Sequence, residues 1–489
     1  MSCPDRNLAV FHHYRHYEGL RLLPSVCEEI IIQQTLISFK GEKIRGYQNH
    51  SINFRDGLTF LIGINGSGKT TVLRLLQGLL TPSYLDLAQI EFSTICVQFT
   101  NKEDSLIESV ACYSDGNNLS IEYTDSKRKR FIDDIPLVLC NINKYRSGRD
   151  LIDFEKLNRV ISDFDDLATV KKIRDLKTPL FLGLNRRIME NSSLHPIERE
   201  FMSRRRMLQI EILSETVDNA LYDIQEMFHN NIRRTAQSQF QLSDLFKKQV
   251  FEESFKVVKN ISITNIDYSS ELANLHNRQK NLNSVIQNLD VKDLMTQFSD
   301  YFNGMKNVLQ ILTETSALQE DKTPNPAYYN ALLEWMINRS QLEKIDKIIK
   351  YAEEYAKNIQ NLKAPINRFV NSVNLFFEES GKEIEVDERG EIKVRLKNTK
   401  KSNSIFDLSS GEKQLILLFA HIGFYKRNRE ASVAIIDEPE LSLHISWQEI
   451  FIDALQHASP ETQFIIATHA PAILAKPERK NMCEDLTNI

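Results

Sequence analysis

The sequence predicts an α/β fold in which a P-loop core with a mixed β-sheet, together with an antiparallel β subdomain, is interrupted by an α-helical insertion. Three observations support this prediction. A glycine-rich loop lies between a β-prone run and an amphipathic helix at residues 58–80. Apolar strand-like runs occur on both sides of a long, glycine-poor stretch. Within that stretch apolar residues recur at steps of three and four, which is typical of helices.

Composition indicates an ordinary soluble protein. The chain has 489 residues, enough for about two to four domains. Its net charge is −5, so contact with nucleic acid would require local basic patches. Six cysteines without a C-x-x-C pair argue against a zinc module or a disulfide framework. We expect a cytoplasmic protein without membrane contact, because we find neither a membrane-length apolar run nor a signal peptide.

The loop at residues 63–70 fits the pattern G-x-x-x-x-G-K-[ST] of phosphate-binding loops. Its glycines let backbone N–H groups curl around an anion, and the following helix directs its positive dipole end at the same anion. The simplest alternative, a glycine turn, does not account for the flanking strand and helix. The nucleotide-binding candidates are Asn65, Gly66, Ser67, Gly68, Lys69, Thr70 and Thr71. Lys69 would reach the β- and γ-phosphates, and the Thr70 hydroxyl would bind Mg²⁺.

We divide the chain into four parts. Residues 1–30 form an N-terminal extension whose histidines have no metal-binding partners at ligand spacing. Residues 31–194 form a lobe that contains the P-loop, and residues 195–377 form the helical insertion. Residues 378–489 form a second lobe that contains the remaining motifs.

Alternating apolar residues and glycine turns predict the strands. We expect β-hairpins at residues 35–54 and 384–394, and further strands at 89–100, 119–124, 136–141 and 179–184. The basic run Lys127–Arg130 is interpreted as a solvated hairpin tip, with nucleic-acid contact as the alternative, and Arg204–Arg206 is interpreted as solvated surface.

Three segments of the second lobe add chemistry to the P-loop. In LSSGEKQ, Ser409 or Ser410 can cap the following helix, which leaves Gly411 and free N–H groups as a second anion site. Asp437 and Glu438 end an apolar strand, where doubly wound folds bind their ligands. Asp437 would hold Mg²⁺, and Glu438 would polarise the attacking water. A further apolar strand ends at His469.

The P-loop, LSSGE, IIDEPELSLH and ATHAP, in this order, resemble the motifs of the ABC-type ATPases, and the soluble SMC, RecF and OLD branch is the more similar one. The resemblance covers about residues 31–190 and 375–475, and it implies an ABC head that uses ATP and Mg²⁺. It implies that Glu438 is the general base and His469 the switch histidine. Residues 442–444 would form the loop that crosses a dimer. The chain departs from the family pattern at Ser410, where glycine is commonest.

By the same resemblance, the signature residues Ser409, Ser410, Gly411 and Glu412 would complete an ATP site on a partner subunit. The glutamine-containing loop is not identified, and both Gln98 and the Asn185–Arg186 region are candidates. A pseudo-ATPase that binds ATP without hydrolysing it is the alternative to an active enzyme, but the five residues that catalysis needs are present.

Lys69 and Gly411 lie about 340 residues apart, which favours an SMC-like arrangement over a transporter subunit. We find no H-N-H cluster, and the sequence continues only about twenty residues beyond His469, so we expect an ATPase that is not itself a nuclease.

The DEPELSLHISWQ and LSSGEKQ segments are similar to those of the PtuA ATPase subunits of Septu and some retron antiphage systems. This resemblance implies an ATP-sandwich homodimer or higher oligomer that regulates a separate, PtuB-like HNH nuclease subunit. DNA or retron RNA/DNA are the candidate nucleic-acid ligands. The alternative is a RecF/SMC-like DNA-repair ATPase that binds DNA directly.

Overall fold

A computed structural model gives the fold of the chain. The residues that it describes are 34–101, 106–137, 146–147, 151–152, 164, 166–176, 178–182, 211–256, 267–288, 295–317, 326–397, 402–429 and 433–487. The predictions for residues 1–30, for Arg204–Arg206 and for Asn185–Arg186 fall outside these ranges.

The strands are β1 Gln34–Ile44, β2 Gln48–Asn53, β3 Leu58–Ile62, β4 Thr94–Asn101, β5 Ile107–Ser114, β6 Asn118–Thr124, β7 Arg130–Pro136, β8 Arg146–Ser147, β9 Leu151–Ile152, β10 Leu180–Leu182, β11 Lys382–Val386, β12 Ile392–Leu396, β13 Ser402–Ser404, β14 Val433–Asp437, β15 Gln463–Ala467 and β16 Cys483–Asp485. The α-helices are α1 Lys69–Leu80, α2 Tyr84–Leu87, α3 Ala168–Arg174, α4 Glu211–Ser254, α5 Tyr268–Asn288, α6 Met295–Ala317, α7 Pro326–Phe377, α8 Ser410–Arg429 and α9 Ile445–Ala458. Short 3₁₀ helices occur at Ile405–Asp407, Pro439–Ser442 and Pro477–Met482.

The core sheet has the strand order β10-β14-β15-β3-β16. We predicted a mixed sheet, whereas each pair of its described strands is parallel. A parallel partner requires a crossover connection, and helix α9, which lies between β14 and β15 in the chain, provides it for that pair. All residues of β14 and β15 are buried, as expected for a sheet covered on both faces. The carboxyl ends of β3, β14 and β15 therefore meet at one edge.

A second, antiparallel sheet has the order β2-β1-β4-β5-β6-β7. Its β1–β2 hairpin confirms the prediction for residues 35–54. Of the strand predicted at 136–141, Pro136 is the last residue of β7, Arg130–Pro136, and residues 138–141 lie outside the described residues. The turn after β6 fixes this register, since it pairs Thr124 with Arg130 and Asn118 with Pro136. Strand β5 was not predicted.

Helix α1 connects the two sheets. It contacts β4 and β5 of the antiparallel sheet and β14 of the core sheet. Its buried apolar residues belong to the same hydrophobic cluster as residues from both sheets, and they are Val72, Leu73, Leu75, Leu76, Leu79 and Leu80. The helix that begins at the P-loop is therefore held from both sides.

The described residues divide into two compact units. The first unit consists of the described residues within Met1–Ile224, Arg368–Glu385 and Ile392–Ile489. The second unit consists of those within Gln225–Asn367 and Val386–Glu391. The second unit is largely helical, and its core includes the fully buried Trp335 and Phe302. The α/β class with a P-loop core, an antiparallel subdomain and a helical insertion is confirmed. The four domain limits given above stay predictions.

Candidate functional site

The loop between β3 and α1 carries the predicted phosphate-binding residues. Gly66 and Gly68 have φ angles of +89° and +94°, a left-handed conformation that glycine adopts without strain. Gly68 precedes the first residue of α1, and no side chain of the described residues caps this helix. The first N–H groups of α1 can therefore donate to an anion. Asn65 is exposed, whereas Ser67 and Thr71 are buried.

Strand β2 supports this loop through two buried side chains that sequence analysis missed. The Gln48 Nε2 donates to the Gly66 carbonyl at 3.2 Å. Gln48 Oε1 and His50 Nε2 have no hydrogen-bond partner among the described residues. A Cβ placed on Gly68 would lie only 2.9 Å and 3.0 Å from these two atoms. No sequence signal marks either residue, because both lie in the hairpin that precedes the P-loop strand.

Lys69 lies in the centre of the site and is 4% exposed. Its Nζ donates to the carbonyls of Gly63 and Ile64, at 2.9 Å and 3.2 Å, and lies 3.4 Å from His469 Nδ1. Burial lowers the pKa of the Lys69 ammonium, although the nearby carboxylates oppose this change. The ammonium is thus a cation held at the phosphate-binding loop.

Asp437, the last residue of β14, forms a hydrogen bond with Thr70, the second residue of α1. Burial raises the pKa of the Asp437 carboxyl to about 6, and the Thr70 hydroxyl opposes this rise. Asp437 Oδ1 is buried and has no hydrogen-bond partner within the described ranges. A carboxylate oxygen and a hydroxyl are ligands that Mg²⁺ prefers, so these two residues fit a magnesium ion.

Glu438 and His469 lie at the ends of neighbouring strands. Glu438 has φ 48° and ψ 56°, an uncommon left-handed conformation for a residue with a side chain. Its N–H donates to the Ala467 carbonyl at 2.9 Å. Its Oε1 lies 3.6 Å from His469 Nε2. The structure thus brings together the predicted residues Lys69, Thr70, Asp437, Glu438 and His469.

Glu440 also belongs to this cluster, although we did not predict it. Its Oε1 accepts a hydrogen bond from the backbone N–H of His469 at 2.7 Å. The signal in the sequence is the second glutamate of DEPE, two residues after Glu438.

The signature residues form a helix start with its own capping interactions. Ser409 Oγ accepts from the Glu412 N–H at 3.4 Å, and Ser409 N donates to Glu412 Oε2 at 3.0 Å, which is a capping box. Lys382 Nζ donates to both Glu412 oxygens, at 2.8 Å and 3.0 Å. Ser409 and Ser410 are exposed, whereas Glu412 is 5% exposed. The Glu412 carboxylate, predicted as a nucleotide ligand, is therefore occupied by protein partners.

Of the two candidates for the glutamine-containing loop, only Gln98 lies in the described part of the chain. Gln98 is an exposed residue within β4, and its Oε1 accepts from Ser38 Oγ at 3.0 Å. In the segment predicted to cross a dimer, His444 is exposed and precedes α9.

Among the residues that the structure describes, no group of three or more His, Cys, Asp or Glu residues is arranged to hold a metal ion. None of the described helices is both long and apolar enough to cross a lipid bilayer.

Comparison with known proteins identifies similar sequences. A family model described as an AAA ATPase domain matches residues 44–474. The Retron Vc95 probable ATPase of Vibrio cholerae serotype O1 biovar El Tor is 24% identical over 205 residues, which are 37% of this chain and 37% of that protein. The Retron Ec83 probable ATPase of Escherichia coli is 24% identical over 208 residues, 38% of each chain. The match thus spans less than two fifths of the length of these curated relatives.

Solved structures of SMC heads are also similar. One of them is the Smc head domain of Pyrococcus furiosus with an extended coiled coil, bound to the C-terminal domain of ScpA. The match covers 91% of this chain and 92% of that chain, with 14% identity and a TM-score of 0.35. The SMC head domain from Thermotoga maritima covers 90% and 91%, with 11% identity and a TM-score of 0.33.

Proposed function

The chain belongs to the AAA ATPase domain family, and from this premise we propose that the P-loop site binds ATP with Mg²⁺ and hydrolyses it to ADP and phosphate. We assign the chain to the ABC-type, SMC-like ATPases from its P-loop, LSSGE, IIDEPELSLH and ATHAP motifs, and its relatives include two probable ATPases of retrons. The observation that carries the proposed site is the convergence of Lys69, Asp437, Glu438 and His469 at one edge of the core sheet.

Each residue has a role that follows from its chemistry. The N–H groups at the start of α1 and the Lys69 ammonium bind the phosphates. Thr70 and Asp437 would hold Mg²⁺, which neutralises charge that develops on the phosphates. Glu438 accepts a proton from the attacking water, and the water oxygen forms the new bond to phosphorus as the bond to the ADP oxygen breaks. His469, between Lys69 and Glu438, donates a hydrogen bond to the γ-phosphate.

The signature segment completes a second, shared site. Ser410 is exposed and small, and it begins helix α8 next to Gly411. Such a helix start binds an anion, so we assign it to the γ-phosphate of an ATP on a second copy of this chain. Glu412 then supports this segment through Ser409 and Lys382 and does not contact the nucleotide. Two copies would enclose two ATP molecules.

The direct test of the proposed activity is phosphate release by the purified full chain. We expect turnover with Mg²⁺ and ATP, and its loss when EDTA removes the metal. A chain that binds ATP and releases no phosphate, alone or with its native partners, would be a pseudo-ATPase.

The biological setting that we propose is an antiphage defence complex in the cytoplasm, in which ATP binding by this subunit regulates a separate HNH nuclease subunit. The support is the similarity to two probable ATPases of retrons, together with motifs similar to those of PtuA subunits. Affinity purification from the native host, followed by intact mass analysis, tests the partner. Recovery of a small HNH protein supports the assignment, and recovery of DNA without a nuclease contradicts it.

A direct DNA-binding ATPase is the second candidate, and one observation favours it. Lys129 and Lys172 lie 4.9 Å and 4.3 Å from the centre of the Phe131 ring, next to the exposed Lys127 and Arg128. These cations form a local basic patch on a chain of net negative charge. Stimulation of turnover by DNA in the absence of any partner would favour this function, and loss of that stimulation in a Lys127→Glu/Lys129→Glu variant would locate the contact.

A further inference from the structure

We propose that Glu440 is a positioning residue that fixes the switch histidine through its backbone and so couples the two loops that carry Glu438 and His469. This inference rests on the proposed ATPase function. Its central observation is the 2.7 Å hydrogen bond from the His469 N–H to Glu440 Oε1. A hydrogen bond to an ionised carboxylate is about twice as strong as one between neutral groups.

The bond lies where the strand ladder ends. Strands β14 and β15 pair in parallel up to Asp437 and Ala467, where the ladder ends. Two contacts continue the connection. The Glu438 N–H donates to the Ala467 carbonyl at 2.9 Å, and the Glu440 carboxylate takes the place of a backbone acceptor for His469. Loss of the Glu440 contact would leave the Glu438–Ala467 bond and the longer, 3.6 Å contact between His469 Nε2 and Glu438 Oε1.

The loop that carries Glu440 is itself fixed. The 3₁₀ helix Pro439–Ser442 begins directly after Glu438, and the Leu443 N–H donates to the Glu440 carbonyl at 3.1 Å. Gln448 Nε2, from helix α9, lies 3.4 Å from the same carbonyl. The side chain of Glu440 therefore reaches His469 from a rigid support, as accurate positioning of a catalytic group requires.

The other carboxylate oxygen of Glu440 has a property typical of functional sites. Oε2 is buried and has no hydrogen-bond partner within the described residues. An unpartnered buried carboxylate oxygen costs free energy, and folding alone gives no reason to retain it.

The consequence concerns the His469 ring. Its Nδ1 lies 3.4 Å from Lys69 Nζ and its Nε2 lies 3.6 Å from Glu438 Oε1, so a shift of its backbone by one ångström would break both contacts. Such misplacement of a reacting group typically costs about 10²-fold in rate. No hydrogen bond among the described residues joins the Glu440 side chain to the phosphate-binding loop, so its loss should lower kcat and leave KM for ATP nearly unchanged.

A double-mutant cycle tests this inference. We expect Glu440→Ala to lower kcat by roughly 10- to 100-fold, and Glu440→Gln, which keeps an acceptor oxygen, to retain most of the activity. In a His469→Ala background, Glu440→Ala should have no further effect on kcat, because its action passes through His469. The exposed Glu449 on α9 provides the matched control, and Glu449→Ala should behave like the parent chain.

Two results would overturn the inference: independent, multiplicative losses in the double mutant, or a loss in Glu440→Ala that appears in KM alone. Hydrogen exchange of the His469 amide provides a readout that does not depend on activity. It should accelerate in Glu440→Ala and much less in Glu440→Gln, and equal protection in all variants would contradict the hydrogen bond. If the parent chain lacks turnover, the proposed function fails, whereas the exchange measurement still tests Glu440.

Discussion

Gly68 is the residue on which the shape of the phosphate-binding loop depends most. It combines a positive φ with close contact, since a Cβ would meet Gln48 Oε1 at 2.9 Å and His50 Nε2 at 3.0 Å. Gly66 has a similar φ, but no atom of the described residues lies within 4 Å of its Cβ position. Substitution of either glycine would strain the backbone, but only substitution of Gly68 would also crowd its neighbours. Comparing the two positions therefore separates the cost of backbone strain from the cost of crowding.

We expect Gly68→Ala to destabilise the first unit more than Gly66→Ala. Both changes cost about 1–2 kcal/mol because a left-handed conformation is strained for alanine, and crowding adds about 1–3 kcal/mol at Gly68 alone. Denaturant unfolding without nucleotide measures the difference. Equal midpoints for the two variants would show that Gln48 and His50 yield to the added methyl group.

Lys69→Ala should abolish nucleotide binding. The ammonium is 4% exposed and lies at the loop that receives the phosphates, and no other described lysine or arginine contacts the Gly63 and Ile64 carbonyls. In the proposed complex the ammonium would donate to phosphate oxygens, and hydrogen bonds to charged groups contribute about 1.5–3 kcal/mol each, so loss of two such bonds would raise the Kd for ATP by about 10²-fold or more. Titration calorimetry with ATP is the measurement. Parent-like affinity would exclude the P-loop assignment.

Glu438→Gln should lower turnover by roughly 10²–10⁴-fold, the usual scale for loss of a general base, while ATP binding survives. The amide keeps the size and shape of the side chain and removes the proton acceptor. Phosphate release and ATP affinity are measured on the same preparation. Turnover at the parent rate would remove Glu438 from this role.

At the scale of elements, the start of helix α8 depends on an interaction with strand β11. Burial alone would raise the pKa of the Glu412 carboxyl, but hydrogen bonds from Lys382 and Ser409 outweigh it and lower the pKa. A carboxyl whose pKa is lower in the folded state stabilises the fold above its unfolded pKa, and this stabilisation is lost as the pH falls through the folded value. The ion pair is thus a source of acid sensitivity.

We expect Lys382→Met to destabilise the first unit by about 1–3 kcal/mol at neutral pH, because it leaves the buried Glu412 without its cation. Below about pH 4 the difference should shrink, since a protonated Glu412 no longer needs Lys382. Urea unfolding of both chains from pH 7 to pH 3 measures this convergence. A difference that is constant with pH would show that Lys382 acts through packing alone. Lys397→Met is the control, since the Lys397–Glu378 pair is longer, at 3.8 Å, and largely exposed.

At the scale of the whole molecule, we expect ATP to cause dimerisation. The dimer should accumulate in a variant that binds ATP but does not hydrolyse it. In Glu438→Gln, ATP should shift the mass measured by light scattering from one copy to two. Adding Ser410→Arg should prevent this shift, because a large side chain would occupy the place of the partner's γ-phosphate. Binding of ATP to the single chain should persist. A dimer that forms equally with and without Ser410→Arg would contradict the shared site.

The sequence by itself determined the class of the fold, the P-loop, and the order of the motifs around a helical insertion. Each of these is local, because a strand, a glycine loop and an amphipathic helix are specified by neighbouring residues. Strand β7, Arg130–Pro136, is placed by its pairing with β6, a contact that the sequence pattern alone did not reveal. Strand β5 escaped prediction entirely.

Only the tertiary structure decided which side chains support the proposed catalytic residues. Gln48 and His50 lie beside Gly68, Lys382 pairs with Glu412, and Glu440 binds the backbone of His469. None of these partners has a characteristic spacing, because the members of each pair lie 18 to 30 residues apart in the chain and meet only when the sheets and helices pack. Residues that contact the substrate must have a particular chemistry at a particular spacing, and this constraint is visible in the sequence as a motif. Residues that position those groups need only make the right contact in the folded chain, and many different sequences can provide such a contact.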